Sequence, residues 1–196
     1  MPFPVGHTLT GLIVAKLVTR QSPIKERYLE VMIIALLANI PDFDFILVWR
    51  LHEVFWHRNF THSLSVALVL GALSCWLYGS KITFKPWLYF TSIIASHSLL
   101  DFCTTGAEGS LGIMLLWPFS DQRLLLGIIS YPFHNWQIYR GLDLLLKGLL
   151  VSLIEFLMYG PFLLAIVLMR RRQATTLPIK SSKSGSILKL FFSLFG

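Results

Sequence analysis

Charge is scarce in this chain. Only 14% of its 196 residues are Asp, Glu, Lys or Arg, where ordinary soluble domains carry about 25%. Its two cysteines, Cys75 and Cys103, each sit in apolar helical sequence with no CxxC spacing. That pattern excludes a disulfide framework and a zinc ribbon. No internal repeat is visible, and no acidic residue follows Arg170. Met1 to Thr10 lacks the basic n-region of a secretory signal, and no small-residue cleavage site follows Leu17-Val18. The first apolar segment is therefore expected to stay attached and to span.

What the chain has is grease: 55% hydrophobic residues and a mean hydropathy of +0.65. It reads as an all-α, polytopic membrane helix bundle. The net charge is +7, yet six of the seventeen basic residues lie from Arg170 onward, and the other eleven face ten acidic ones. Such an excess excludes a basic nucleic-acid-binding face and indicates a tail held at an anionic cytoplasmic leaflet. The expected division is a membrane-embedded domain over 1–169 and a basic cytoplasmic tail over 170–196.

Five spans are expected. The first is Gly6 to Val18, extended by Pro2 to Val5. A polar connector, Gln21 to Glu30, leads to the second, Val31 to Ile40, which must end or break at Pro41-Asp42-Phe43-Asp44. Leu64 to Tyr78 is the third. Pro86 opens the fourth, Trp87 to Cys103, as a first-turn proline. Leu149 to Met169 is the fifth. Leu111 to Ile129 has Trp117-Pro118-Phe119-Ser120-Asp121-Gln122-Arg123 at its centre, so it is read as two short interfacial or re-entrant pieces. Tyr131 to Lys147 is read as an aromatic interfacial belt, and Ile187 to Phe195 as an apolar run on the membrane surface.

The positive-inside rule orients these spans. With the tail in the cytoplasm, Lys16 to Arg27, Lys81 with Lys85, and the tail all face inside, twelve of the seventeen basic residues. The polar motifs then gather at the outer side. His7 opens the first span, and Asp42 and Asp44 close the second. His57-Arg58-Asn59-Phe60-Thr61-His62-Ser63 precedes the third, and His97 and Asp101 lie in the outer half of the fourth. Topology was set by Lys and Arg alone, so the gathering of His and Asp is an independent observation.

These residue types suit a metal. His97 and Asp101, four apart on a helix, share one face. Asp42 and Asp44 at a helix break can converge on a cation, or one can orient a histidine. The candidate ligands are His7, Asp42, Asp44, His57, His62, His97 and Asp101. They exceed the three protein ligands of a single catalytic zinc, so two or more divalent ions are expected, zinc first, with manganese or magnesium as alternatives. Such a centre activates water and clamps a phosphoester. Arg58 and Thr61 are assigned to the substrate's anionic group. Plainer readings stand beside each: an interfacial His7, helix-end chemistry for the aspartates, a hydrogen-bonded His97–Asp101 pair, and an N-cap role for Thr61 or Ser63. His52 and His134 read as loop histidines, Asp121 with Arg123 as an interfacial pair edging a cleft, and Cys103 as packing. Glu155, inside the last span, has no assigned role, and pairing with another helix is the reading left open for it.

Gly6-His7-Thr8, Pro41-Asp42-Phe43-Asp44, the His57 to Ser63 stretch and His97-Ser98-Leu99-Leu100-Asp101, in that order, resemble the YdjM-like family. Trp117-Pro118-Phe119-Ser120 is family-like too. The resemblance implies an inner-membrane, metal-dependent hydrolase with its centre at the seven ligands named above, and it names no substrate. The family has glycine after Arg58, where Asn59 stands here; asparagine tolerates the left-handed conformation a tight turn needs. Membrane lipids and an amphiphilic or lipid-linked substrate are the expected partners. A divalent-metal or proton transporter, and a regulatory anchor binding a soluble protein through the tail, are the competing functions.

Overall fold

A computed structural model describes residues 2–19, 22–51, 57–79, 82–105, 112–130 and 141–176. Among them the regular structure is helical: α1 (Pro4–Val18), α2 (Arg27–Asn39), α3 (Phe45–Leu51), α4 (Leu64–Leu77), α5 (Phe84–Cys103) and α6 (Gly141–Thr176). His52, His134 and the run 187–195 lie outside the described residues. Chain contacts separate one compact unit, Met1–Ile166, from a second, Val167–Gly196. The described part of the second is helical and carries Arg170, Arg171 and Arg172.

Several boundaries follow from local chemistry. Pro41 does break the second span: α2 gives way to a 3-10 turn over Ile40–Asp44 before α3 begins. Ser63 caps α4, its Oγ accepting the Val66 N–H at 3.2 Å. The fourth helix starts at Phe84, two residues before Pro86, because the first four N–H groups of a helix have no partner within it and proline forfeits nothing there. Gly141 to Lys147, read from the sequence as part of a belt, belongs to α6 instead.

The core of the first unit is the contact of α1, α2, α4 and α5, with Ile34, Leu37, Ala38, Phe90, Ile93 and Ile94 buried at its centre. Near one end of this core, Glu30 at the start of α2 is buried and accepts from Lys16 Nζ at 2.8 Å and Tyr89 Oη at 3.2 Å. Glu30 therefore belongs to a helix and an ion pair rather than a free connector.

Residues 112–130 contain no helix. Ile113 and Leu124 exchange both backbone hydrogen bonds, at 3.0 and 2.9 Å. The same segment serves its neighbours: Leu126 and Ile129 N–H groups reach the carbonyls of Phe102 and Cys103, and the Leu115 carbonyl takes the N–H of Leu64. Helix ends leave such groups unpaired, so this loop supplies the partners that the end of α5 and the start of α4 lack. Outward it presents Leu116, Trp117, Phe119, Leu125, Leu126 and Ile128, all exposed.

Two segments, Arg27–Val48 and Gly141–Gln173, are long and apolar enough to cross a membrane, and α1 and α4 are shorter apolar helices. The packing of α4 on α5 is tight at Gly71, where a Cβ would collide with the Thr91 side chain and lie 2.9 Å from its Cα. Gly71→Val should therefore cost about 1–3 kcal/mol and lower the melting temperature in detergent by several degrees. An unchanged melting curve would contradict this packing.

Candidate metal centre

Four helices bring their polar ends to one place. His7 lies in the first turn of α1, Asp42 and Asp44 in the turn that ends α2, His62 just before α4, and His97 and Asp101 in the last turns of α5. His7, Asp44, His62, His97 and Asp101 are all buried, four of them (His7, His62, His97 and Asp101) with no exposed surface.

Asp42, His62, His97 and Asp101 form the tightest group with the donor chemistry to hold a metal ion. His62 Nε2 lies 3.1 Å from His97 Nε2, 3.5 Å from Asp42 Oδ1 and 3.3 Å from Asp101 Oδ2. His97 Nε2 lies 3.4 Å from Asp42 Oδ1 and 3.8 Å from Asp101 Oδ2. Around a tetrahedral zinc with ligand bonds of about 2.0–2.1 Å, neighbouring donors are separated by roughly 3.3 Å. Five edges of the group, from 3.1 to 3.8 Å, fall around that value. Asp42 Oδ1 and Asp101 Oδ2 are buried without a hydrogen-bond partner, and a buried carboxylate oxygen in that state calls for a cation. The residues fit a divalent ion.

The imidazoles are set up for ligation by their other nitrogens. His97 Nδ1 is 2.7 Å from the Ala38 carbonyl; a carbonyl only accepts, so Nδ1 carries the proton and Nε2 keeps its lone pair. Thr61 Oγ1 donates to Asp44 Oδ2 at 2.9 Å and lies 3.0 Å from His62 Nδ1. Its proton being spent on the carboxylate, Oγ1 accepts from His62 Nδ1–H and turns Nε2 toward the cluster.

Asp44 organises the loop. Its carboxylate accepts from His57 Nδ1 at 2.8 Å, the Arg58 N–H at 3.0 Å and Thr61 Oγ1. Asp44, His57 and His62 also form a second group that could hold a metal ion. His57 stacks on Phe45 with ring centroids 4.0 Å apart.

Arg58 is the one non-glycine residue with a positive φ among those described, at 61°. The left-handed position is thus Arg58 itself and not Asn59, whose φ is −85°. Such a conformation persists only where its surroundings over-determine it. Here the Arg58 N–H is held by Asp44, its carbonyl accepts from Met114 N at 3.4 Å, and Nη2 donates to Asp101 Oδ1 at 2.9 Å. Of the two residues assigned to substrate from the sequence, Arg58 is engaged with Asp101 and Thr61 with Asp44.

His7 sits beside the group rather than in it. Its ring stacks on His97 at 3.6 Å and 14°, and Nε2 is 3.9 Å from both Asp42 Oδ2 and Asp101 Oδ1. Neither of its nitrogens has a hydrogen-bond partner. The Ala38 carbonyl and the backbone of 112–130 were not legible as parts of the site, since main-chain groups leave no mark in the side-chain pattern.

A family model described as YdjM inner membrane protein matches residues 1–176, all the site residues included. The family expected from the four motifs is the one that matches. The chain is also 38% identical over 112 residues to the inner membrane protein YbcI of Escherichia coli (strain K12). That match covers 53% of this chain and 57% of the relative, so the chain spans little more than half the length of the relative it matches. No solved structure matches.

Burial alone would lower the His62 pKa, but the Asp101 and Asp42 carboxylates, 3.3 and 3.5 Å from Nε2, outweigh it and push it up to about 9. At pH 7 the ion-free site holds a proton on His62 that a ligated ion must displace. Metal binding should therefore release about one proton per ion at this site and weaken as pH falls. Calorimetry in buffers of different ionisation enthalpy reads that proton; binding with no buffer dependence would contradict the assignment of His62. Thr61→Val should weaken binding by about 10–100-fold, as loss of a ligand-orienting partner commonly does.

Proposed function

The chain belongs to the YdjM inner membrane protein family, and we propose that it is a membrane-bound, metal-dependent hydrolase of a phosphoester or related bond in a lipid or lipid-linked substrate. The observation that carries this reading is the convergence of two carboxylates and two imidazoles at tetrahedral donor spacing at the ends of apolar helices, three of the four buried and Asp42 half-buried. Five spans are counted in this reading: α1, α2 with its continuation through the Pro41 break, α4, α5 and α6. The C-terminus is cytoplasmic and the centre faces the extracytoplasmic side, an orientation supported by the distribution of Lys and Arg.

A divalent ion there would supply Lewis-acid activation of water and charge stabilisation at the phosphoryl group. The protein's own part is to hold and orient. His62, His97, Asp42 and Asp101 would hold the ion, and the Asp44 and His57 group would offer room for a second. Arg58 keeps Asp101 in place; Thr61 keeps His62 in place. The exposed Leu116, Trp117 and Phe119 of the 112–130 loop suit a membrane interface, which gives a substrate with an apolar tail a route to the site.

Transport is the weaker alternative. The polar cluster of Glu30, Lys16 and Tyr89 is separated from the metal centre by the apolar layer of Ile34, Leu37, Phe90, Ile93 and Ile94. An ion path needs polar groups along its length.

The test is hydrolysis by the purified, metal-loaded protein in lipid vesicles, against a panel of lipid phosphomonoesters and lipid diphosphates, with phosphate release as the readout. Turnover that chelation abolishes and that His62→Ala lowers at least about 100-fold is expected. Activity untouched by both would sink the reading, and metal-dependent ion uptake into the vesicles without hydrolysis would favour the transporter.

A further inference from the structure

Glu155 is fully buried in the middle of the long apolar helix α6. A carboxylate so placed is costly unless it is fully bonded. It spends both oxygens on α1: Oε1 accepts from the Phe3 N–H at 2.5 Å and Oε2 from the Gly6 N–H at 2.7 Å. These are donors that a helix start leaves unpaired, and α1 has no side-chain cap of its own. A negative group is also favoured at a helix N-terminus by the helix dipole.

Glycine at position 6 gives the carboxylate its room: a Cβ there would lie 2.8 Å from both Cδ and Oε1 of Glu155 and would push that end of the side chain aside. Two turns earlier on α6, a Cβ at Gly148 would lie 3.2 Å from the Phe3 ring. Thus α6 grips the start of α1 at two levels.

The residue after Gly6 is His7. Its ring touches the metal centre by stacking on His97, and no hydrogen bond orients either of its nitrogens. Its place against Asp42 and Asp101 is therefore set by where the first turn of α1 is pinned. We propose that Glu155 is a positioning residue of the metal centre: by binding the Phe3 and Gly6 N–H groups it fixes the register of His7 beside Asp42, His97 and Asp101. This rests on the metal reading above. It joins a residue near the end of the first unit to a site built from the chain's first 101 residues.

Cobalt(II) titration of the full-length protein in detergent tests it, since the visible absorption of bound cobalt reports ligand geometry and a merely stabilising contact leaves it unmoved. Wild type, His7→Ala, Glu155→Ala, Glu155→Gln and the His7→Ala/Glu155→Ala pair are compared. Glu155→Ala should shift the cobalt spectrum toward that of His7→Ala and weaken binding about tenfold. The double variant should be no worse than His7→Ala. Glu155→Gln, which keeps one acceptor oxygen, should fall between wild type and Glu155→Ala and is the variant to use if Glu155→Ala does not fold. A wild-type spectrum that both Glu155 variants leave unchanged, or losses that simply add in the double variant, would overturn the proposal alone. No cobalt binding by the wild type would overturn the metal reading and this proposal with it.

Discussion

The meeting of Asp42 and Asp101 with His62 and His97, all away from solvent or nearly so, is the constraint from which the rest of the first unit follows. Two carboxylates that close in a low-dielectric setting repel, and each demands positive charge or donors. The fold answers part of that demand with the Arg58 guanidinium on Asp101 and leaves one oxygen of each carboxylate, Asp42 Oδ1 and Asp101 Oδ2, without a partner. A soluble enzyme can let water fill such a gap. At the end of an apolar bundle the compensation has to come from the protein or from an ion.

Much of the surrounding architecture holds these donors still. The Ala38 carbonyl fixes His97, Thr61 fixes His62, and Asp44 ties three points of the loop together. The 112–130 segment completes the end of α5 and the start of α4, the two helices that carry Asp101 and follow His62. Glu155 adds a brace from α6 to the first turn of α1. At the opposite end of the same helices the Lys16–Glu30 pair, with Tyr89, ties α1, α2 and α5 together. Between the two lies an apolar layer, which suits a site open to one side of a membrane better than a path through it.

The gathering of His and Asp was legible in the sequence because its spacing is helical and its residues are costly in apolar surroundings: His97 and Asp101 had to share a face, and Pro41 had to interrupt the helix beside Asp42. The cap at Ser63 was readable for the same local reason. What was not legible depends on contacts between distant main-chain groups. Asn59 looked suited to the left-handed turn, yet Arg58 adopts it, because Asp44, Met114 and Asp101 hold Arg58 at three points. A pairing of Glu155 with another helix was open from the sequence, but its partners could not be named because they are backbone N–H groups, one of them 149 residues away. The Leu111 to Ile129 stretch showed that it would not make an ordinary span, but nothing in its side chains announced whose carbonyls it would satisfy.

The most direct measurement of the central claim is metal-edge X-ray absorption on the purified protein. The account predicts a bound divalent ion whose inner shell contains two imidazole nitrogens and carboxylate oxygens at about 2.0–2.2 Å. The imidazole contribution should fall by half in His97→Ala. A shell of oxygens alone, or one that His97→Ala leaves intact, would contradict it.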